Sequence, residues 1–140
     1  MEAWAREVVD LWRDNRVRLA EVTLQAVLQN PNMPVKAYTV EDFLQMVDGT
    51  SAMIAEELSG QGSEIRDTWL NSVIPGVLSQ GQPLSGVVGQ ITMNALVIYN
   101  QLVPRASEEN RAKISTFIIN WFAKFNTDLV KVGLEFGVQS

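Results

Sequence analysis

The side chains that most often carry catalysis are missing or scattered in this chain. It has no His and no Cys among 140 residues. Ser-His-Asp and Cys-His nucleophilic machinery is therefore excluded by composition, as are disulfides, thiolate chemistry and Cys-based metal sites. Haem ligation through a proximal His is excluded too. Met93 or Tyr99 could in principle serve as ligands instead, but such residues on apolar helices usually pack. The carboxylate pairs are poor acid/base or metal candidates. Glu56 and Glu57 are adjacent and must diverge on a helix, while Asp10 and Asp14 share a face with Arg6, Arg13 and Arg18 close by. Gly86-Val-Val-Gly89 has no following Lys and lies inside a helical stretch, so it is no phosphate loop. The residues imply no catalytic site, no metal site and no cofactor, and the expectation is a protein that is not an enzyme.

The charge distribution bounds the partners. The net charge is −5, and the Arg cluster at 6, 13, 16 and 18 is interleaved with Asp10, Asp14 and Glu21. A nucleic-acid surface needs unopposed, clustered cations, so no nucleic acid is expected. Residues 41–67 hold seven carboxylates against Arg66 alone. From Thr68 to Pro104 there is no charge for 37 residues, although Asn71, Gln80, Gln82, Gln90, Asn94, Asn100 and Gln101 are spread through the run. Those amides argue against a membrane span, which needs about 18 nearly uninterrupted apolar residues. An enclosed pair of helices is the expected reading. Gln90 and Asn94, with Trp69 and Val73, are the candidate lining of a ligand pocket; hydrogen bonds from the two amides to each other or to backbone are the plainer alternative. No signal-peptide layout opens the chain, which fits a cytoplasmic protein.

The elements that must position these residues are all helical. Trp4, Val8, Leu11, Trp12, Leu19, Val22 and Ala26 recur at steps of three and four and predict one helix from Glu2 to Gln29. Proline then closes it, with a short helix conceivable over 33–38. Thr39 reads as an N-cap with Glu41 and Asp42 in the first turn, opening a helix to about Leu58. Gly49-Thr50-Ser51-Ala52 within it permits a close crossing or a shallow pocket. Ser59 to Ser63 is a turn. A third helix carries Ile65, Trp69, Leu70, Val73 and Ile74, and Pro75-Gly76 should kink or end it. A fourth runs from Leu84 to Val103 and ends at Pro104. Ser107-Glu108-Glu109 should cap the last, over about 107–137.

That last helix has two apolar sets. Ile114, Ile118, Trp121, Phe125, Leu129, Val132 and Phe136 form one stripe near the 3.6 period. Ile119, Phe122, Val130 and Leu134 form a second, and Lys124, Asp128, Lys131 and Glu135 a charged third. Gly133-x-x-x-Gly137 could allow close helix approach. Two apolar faces imply two bodies in contact, and each large buried side chain contributes roughly 1.5–3 kcal/mol. One body is the chain's own core; the other is more core, a dimer partner or a following domain, and in the homodimer reading Ile118, Trp121, Phe122 and Phe125 link core to interface. The chain reads as one all-α domain of about five main helices.

Val77-Leu-Ser-Gln-Gly-Gln-Pro-Leu-Ser-Gly-Val-Val-Gly-Gln-Ile, a helix ending at Pro104, and Ile118-Ile-Asn-Trp-Phe-Ala-Lys-Phe-Asn-Thr-Asp-Leu together resemble the amino-terminal sensor domains of RsbR-type stressosome proteins of bacteria. The likeness covers roughly residues 65–136. It implies a globin-like fold without haem, dimerising through the last helices and relaying signals to STAS- or kinase-containing signalling proteins. A non-haem globin sensor of fatty acids or other apolar ligands is the alternative that the helical pattern leaves open.

Overall fold

The computed structural model describes residues 1–31 and 38–139. Among them every regular element is helical. In order these are α1 (Ala3–Asp14), α2 (Arg16–Gln29), α3 (Val40–Leu58), α4 (Glu64–Thr68), a π-helical turn (Trp69–Val73), α5 (Ile74–Ser79), α6 (Leu84–Leu102), a 3-10 turn (Val103–Arg105) and α7 (Arg111–Gln139). The helix conceivable over 33–38 lies outside the described residues apart from Tyr38.

Neighbouring helices form a row in the order α3, α2, α6, α7. Helix α1 and the segment from α4 to α5 each touch both ends of that row, so it curls into a bundle. The core contains Trp12, Leu19, Phe43, Ile54, Ile74, Ile91, Ile98, Ile118, Phe125 and Leu129. No described helix is long and apolar enough to cross a membrane.

The local chemistry explains the boundaries. Helix α3 opens on a reciprocal cap: Asp42 N–H donates to Thr39 Oγ1 at 3.3 Å, and Thr39 N–H donates to Asp42 Oδ2 at 2.8 Å. The turn after it places Gly60 and Gly62 at φ of 77° and 104°, a region a Cβ disfavours. The expected single helix over 2–29 is instead two. Asn15 sits at φ −106°, ψ 15°, and its Nδ2 donates to Leu11 O at 2.8 Å. That side chain competes with the helical ladder, which restarts when Leu19 N–H donates to Asn15 O. The break also changes which residues face inward. Thr23 and Val27 are buried, while Val22 and Ala26 are only partly covered.

Pro75 neither ends nor sharply breaks its helix. It has no N–H for the ladder, and its ring would crowd the carbonyl one turn back. The turn before it widens, with Ile74 N–H reaching Trp69 O, five residues back. Helix continues on both sides, so Trp69 and Val73 sit on an expanded turn.

Ser107 does not cap α7, which starts at Arg111. It is held by α1. Glu7 accepts from Ser107 N–H at 2.6 Å, Ser107 Oγ at 2.7 Å and Asn110 Nδ2 at 3.1 Å. This clasp joins residues a hundred positions apart. Burial pushes the Glu7 carboxyl up, but the bonds from Ser107 and Asn110 and the charge of Arg111 outweigh it and hold the group below its ordinary value. Its stabilising contribution is thus complete above the ordinary carboxyl range and is lost as pH falls through the lowered value. Glu7→Gln should cost about 1 kcal/mol at neutral pH. It should also flatten the loss of stability seen below pH 4.5 in urea titrations, relative to the wild type.

Candidate functional site: helix α7 and the surfaces it joins

Helix α7 gives side chains to three distinct environments. On its inner face runs an aromatic ladder. Trp12 of α1 stacks on Phe122 with centroids 6.0 Å apart, and Phe122 meets Trp121 edge-on at 5.0 Å. Trp121 stacks on Phe125 at 5.1 Å, and Phe125 meets Trp69 of the π turn at 5.1 Å. Offset and tilted rings of this kind add about 0.5–1.5 kcal/mol per pair beyond their burial.

Beside the ladder lies a charged cluster. Arg66 of α4 is only 5% exposed. Its guanidinium pairs with Asp128 of α7, lies 3.6 Å from Asp67 and 4.0 Å from Glu57 of α3, and sits 5.8 Å from the Phe125 ring centroid. Glu57 also accepts from Trp121 Nε1. One cation thereby ties α3, α4 and α7 together. Asp128, one of the charged set that the pattern of α7 shows, is the α7 end of this cluster.

The outer face of α7 forms a shallow groove of about 340 Å³ against α6. Ile118 and Phe122 line it beneath Leu96 and Ile119, which are 53% and 54% exposed. Tyr99–Ser115 at 2.9 Å and Asn126–Thr92 at 3.4 Å bridge the two helices along it. Further along, Leu84 of α6 lies against Gly133, where an added Cβ would come within 2.5 Å of it. Gly133 thus permits close approach, while Gly137 has open space around it.

A separate cleft of about 230 Å³ is lined from α3, the π turn, α5, α6 and α7. Its walls include Met46, Gly49, Met53, Trp69, Val73 and Val77, with Ile91 and Phe125. Asp42 and Gln45 stand on the first turns of α3.

The residues singled out by sequence separate as follows. Ile118, Trp121, Phe122 and Phe125 are all enclosed by the chain's own helices. The strongest apolar stripe marks the inner face, and Phe122 turns inward onto Trp12. A partner on this surface would meet Leu96 and Ile119 first. Trp69 and Val73 do share a cleft, but Gln90 and Asn94 do not line it. Gln90 donates to Tyr38 Oη at 2.6 Å, and Asn94 donates to Thr23 Oγ1 at 3.3 Å. Neither bonds to the other; each fixes α6 against a distant element. Asp10 and Asp14 share Arg13, and Glu56 accepts from Ile65 N–H, apart from Glu57. Among the described residues no acidic group of three comes together as a metal site. Arg66 was visible only as the lone cation in an acidic stretch, which is the signal that could have marked it as buried and paired.

Arg66→Met keeps the bulk beside Phe125 and leaves the carboxylates unpaired. Since Glu57 and Asp128 are 24% and 30% exposed, the expected loss is about 2–3 kcal/mol, below the usual range for breaking a fully buried pair. Guanidinium unfolding of the variant measures it. A loss under half a kcal/mol would place the cluster's role elsewhere.

No protein-family model, curated protein or solved structure matches the chain, so its function has to be argued from this geometry.

Proposed function

We propose that this chain is a non-enzymatic signal-sensing module, of the kind that regulates a bacterial stress response, acting as a homodimer. In this reading it is an RsbR-like, globin-like domain without haem, and it works in the cytoplasm. It passes a signal along its last helix to a STAS- or kinase-containing partner or a downstream domain. The observation that carries the proposal is the double life of α7. One face belongs to the core, and the other opens with α6 into an apolar, uncharged groove.

Neither α6 nor residues 114–123 of α7 carries a charge. A second copy could therefore lie on the groove without bringing like charges together, although the chain as a whole is acidic. Pairing would cover Leu96 and Ile119 on both subunits and place four helices across the dyad. A signal would then act by favouring one of two packings of α7 against its neighbours. The alternative reading, a non-haem globin sensor of a fatty acid or other apolar ligand, draws on the cleft that Trp69 and Val73 line, whose size suits the smaller apolar ligands.

Sedimentation equilibrium at micromolar concentration tests the dimer. The wild type should associate. Ile119→Glu should weaken association at least tenfold, because a carboxylate would be desolvated without a partner. Its thermal midpoint as a monomer should barely move, since residue 119 is largely exposed. A wild type that remains monomeric throughout would remove the proposal's support.

A further inference from the structure

We propose that the cleft beneath the π turn is a binding site for a small aromatic molecule with a cationic or neutral hydrogen-bond-donating end, and not for a fatty acid. The inference deepens the sensory reading above. It rests on that reading for its purpose, and on the cleft alone for its chemistry.

Three observations carry it. The first is size. A volume of about 230 Å³ is larger than the roughly 150 Å³ apolar cavity that holds benzene, and below the roughly 300–1,000 Å³ of drug-sized sites. One ring with a short substituent fits that space, while a long acyl chain would have to run out of its open side. The second is the lining. Met46, Met53, Trp69, Ile91 and Phe125 offer polarizable and aromatic surface. The Thr50 hydroxyl, also in the wall, is committed to Met46 O and Val47 O. The third is charge. Among the described residues of the lining, Asp42 is the charged one, joined by the Gln45 amide. Arg66 lies over the Phe125 ring but is taken up by its own carboxylates. An anionic head would meet the Asp42 charge, with no Lys or Arg among the described residues of the lining. Asp42 Oδ2 already holds Thr39 N–H in the α3 cap, so an ammonium or hydroxyl would find its acceptor in Oδ1, and Trp69 shares the lining for a cation–π contact.

The backbone around the cleft keeps it open. The π turn offsets Trp69 and Val73 from the positions of a regular α path. Across from them, α3 carries Gly49, where an added Cβ would meet no atom within 4 Å. Glycine inside a helix is destabilising relative to residues with a side chain, so a larger residue at this lining position would support α3 while occupying cleft space.

The test is NMR of the full chain with 13C-methyl methionine, titrated with phenethylamine, benzyl alcohol, phenylacetate and decanoate. Phenethylamine and benzyl alcohol should shift the Met46 and Met53 methyls and leave Met1 and Met93 unmoved. Phenylacetate should bind more weakly than phenethylamine, and Asp42→Asn should narrow that difference by on the order of fivefold. Gly49→Leu should fold with an undiminished thermal midpoint and show no shifts. The proposal is overturned by absence of shifts with all four probes at millimolar concentration, or by shifts that persist in Gly49→Leu. It is equally overturned if phenylacetate or decanoate binds at least as tightly as the amine. Failure here would leave the sedimentation result untouched, so the cleft and the dimer stand or fall separately.

Discussion

Phe125 is the contact on which the rest of this bundle depends. Its ring is fully buried and touches Trp69 on one side and Trp121 on another, with the Arg66 guanidinium over it. Through Trp121 and Phe122 the same aromatic series reaches Trp12 of α1. Helix α7 is thereby locked to α1, to α4 and to the π turn at once. Large side chains in such a position offer no room for partial adjustment, because a close-packed interior responds to displacement by repacking rather than stretching. The cleft and the outer groove both draw on this set: Phe125 belongs to one, Phe122 to the other.

The charge-free stretch follows from the same arrangement. Helix α6 lies between α2 and α7, so a charge on most of its faces would be desolvated. Its amides supply direction instead. Gln90 reaches Tyr38, and Asn94 reaches Thr23, whose hydroxyl in turn donates to Leu19 O at 2.7 Å. Hydrogen bonds of this kind contribute about 1 kcal/mol each, less than the surrounding apolar burial. Their value lies in register, since an apolar helix can slide or rotate with little penalty and a paired amide cannot. The cost is visible at Asn94 Oδ1, which is buried with no partner among the described residues.

Much of this was legible in the sequence. Helix class, the capped start of α3, the glycine turns and the inner stripe of α7 follow from local chemistry, and local chemistry is what a sequence displays. The rest depends on partners distant along the chain. Asn15 breaks a helix whose apolar periodicity passes straight through it. Pro75 signals a disturbance, but only the competing packing of Trp69 and Leu70 decides that the turn widens rather than ends. Ser107 looked like a helix cap, yet Glu7 claims it from a hundred residues away. The candidate pocket was half readable for the same reason. Trp69 and Val73 share a helix face, whereas the roles of Gln90 and Asn94 are fixed by Tyr38 and Thr23. The inner and outer residues of α7 were hard to separate because Phe122 and Ile119 belong to one apolar set and differ only in whether Trp12 is there to cover them.

If the chain is the proposed sensor, with its ligand in the cleft and its partner on the outer groove, the two separately tested sites must also be coupled through the aromatic face of α7. Thermodynamic linkage makes this measurable in one quantity, the dimer dissociation constant with and without saturating phenethylamine. If the two surfaces are coupled, sedimentation equilibrium should give constants differing by about fivefold or more, in either direction. Identical constants under conditions where the cleft is occupied would contradict the claim.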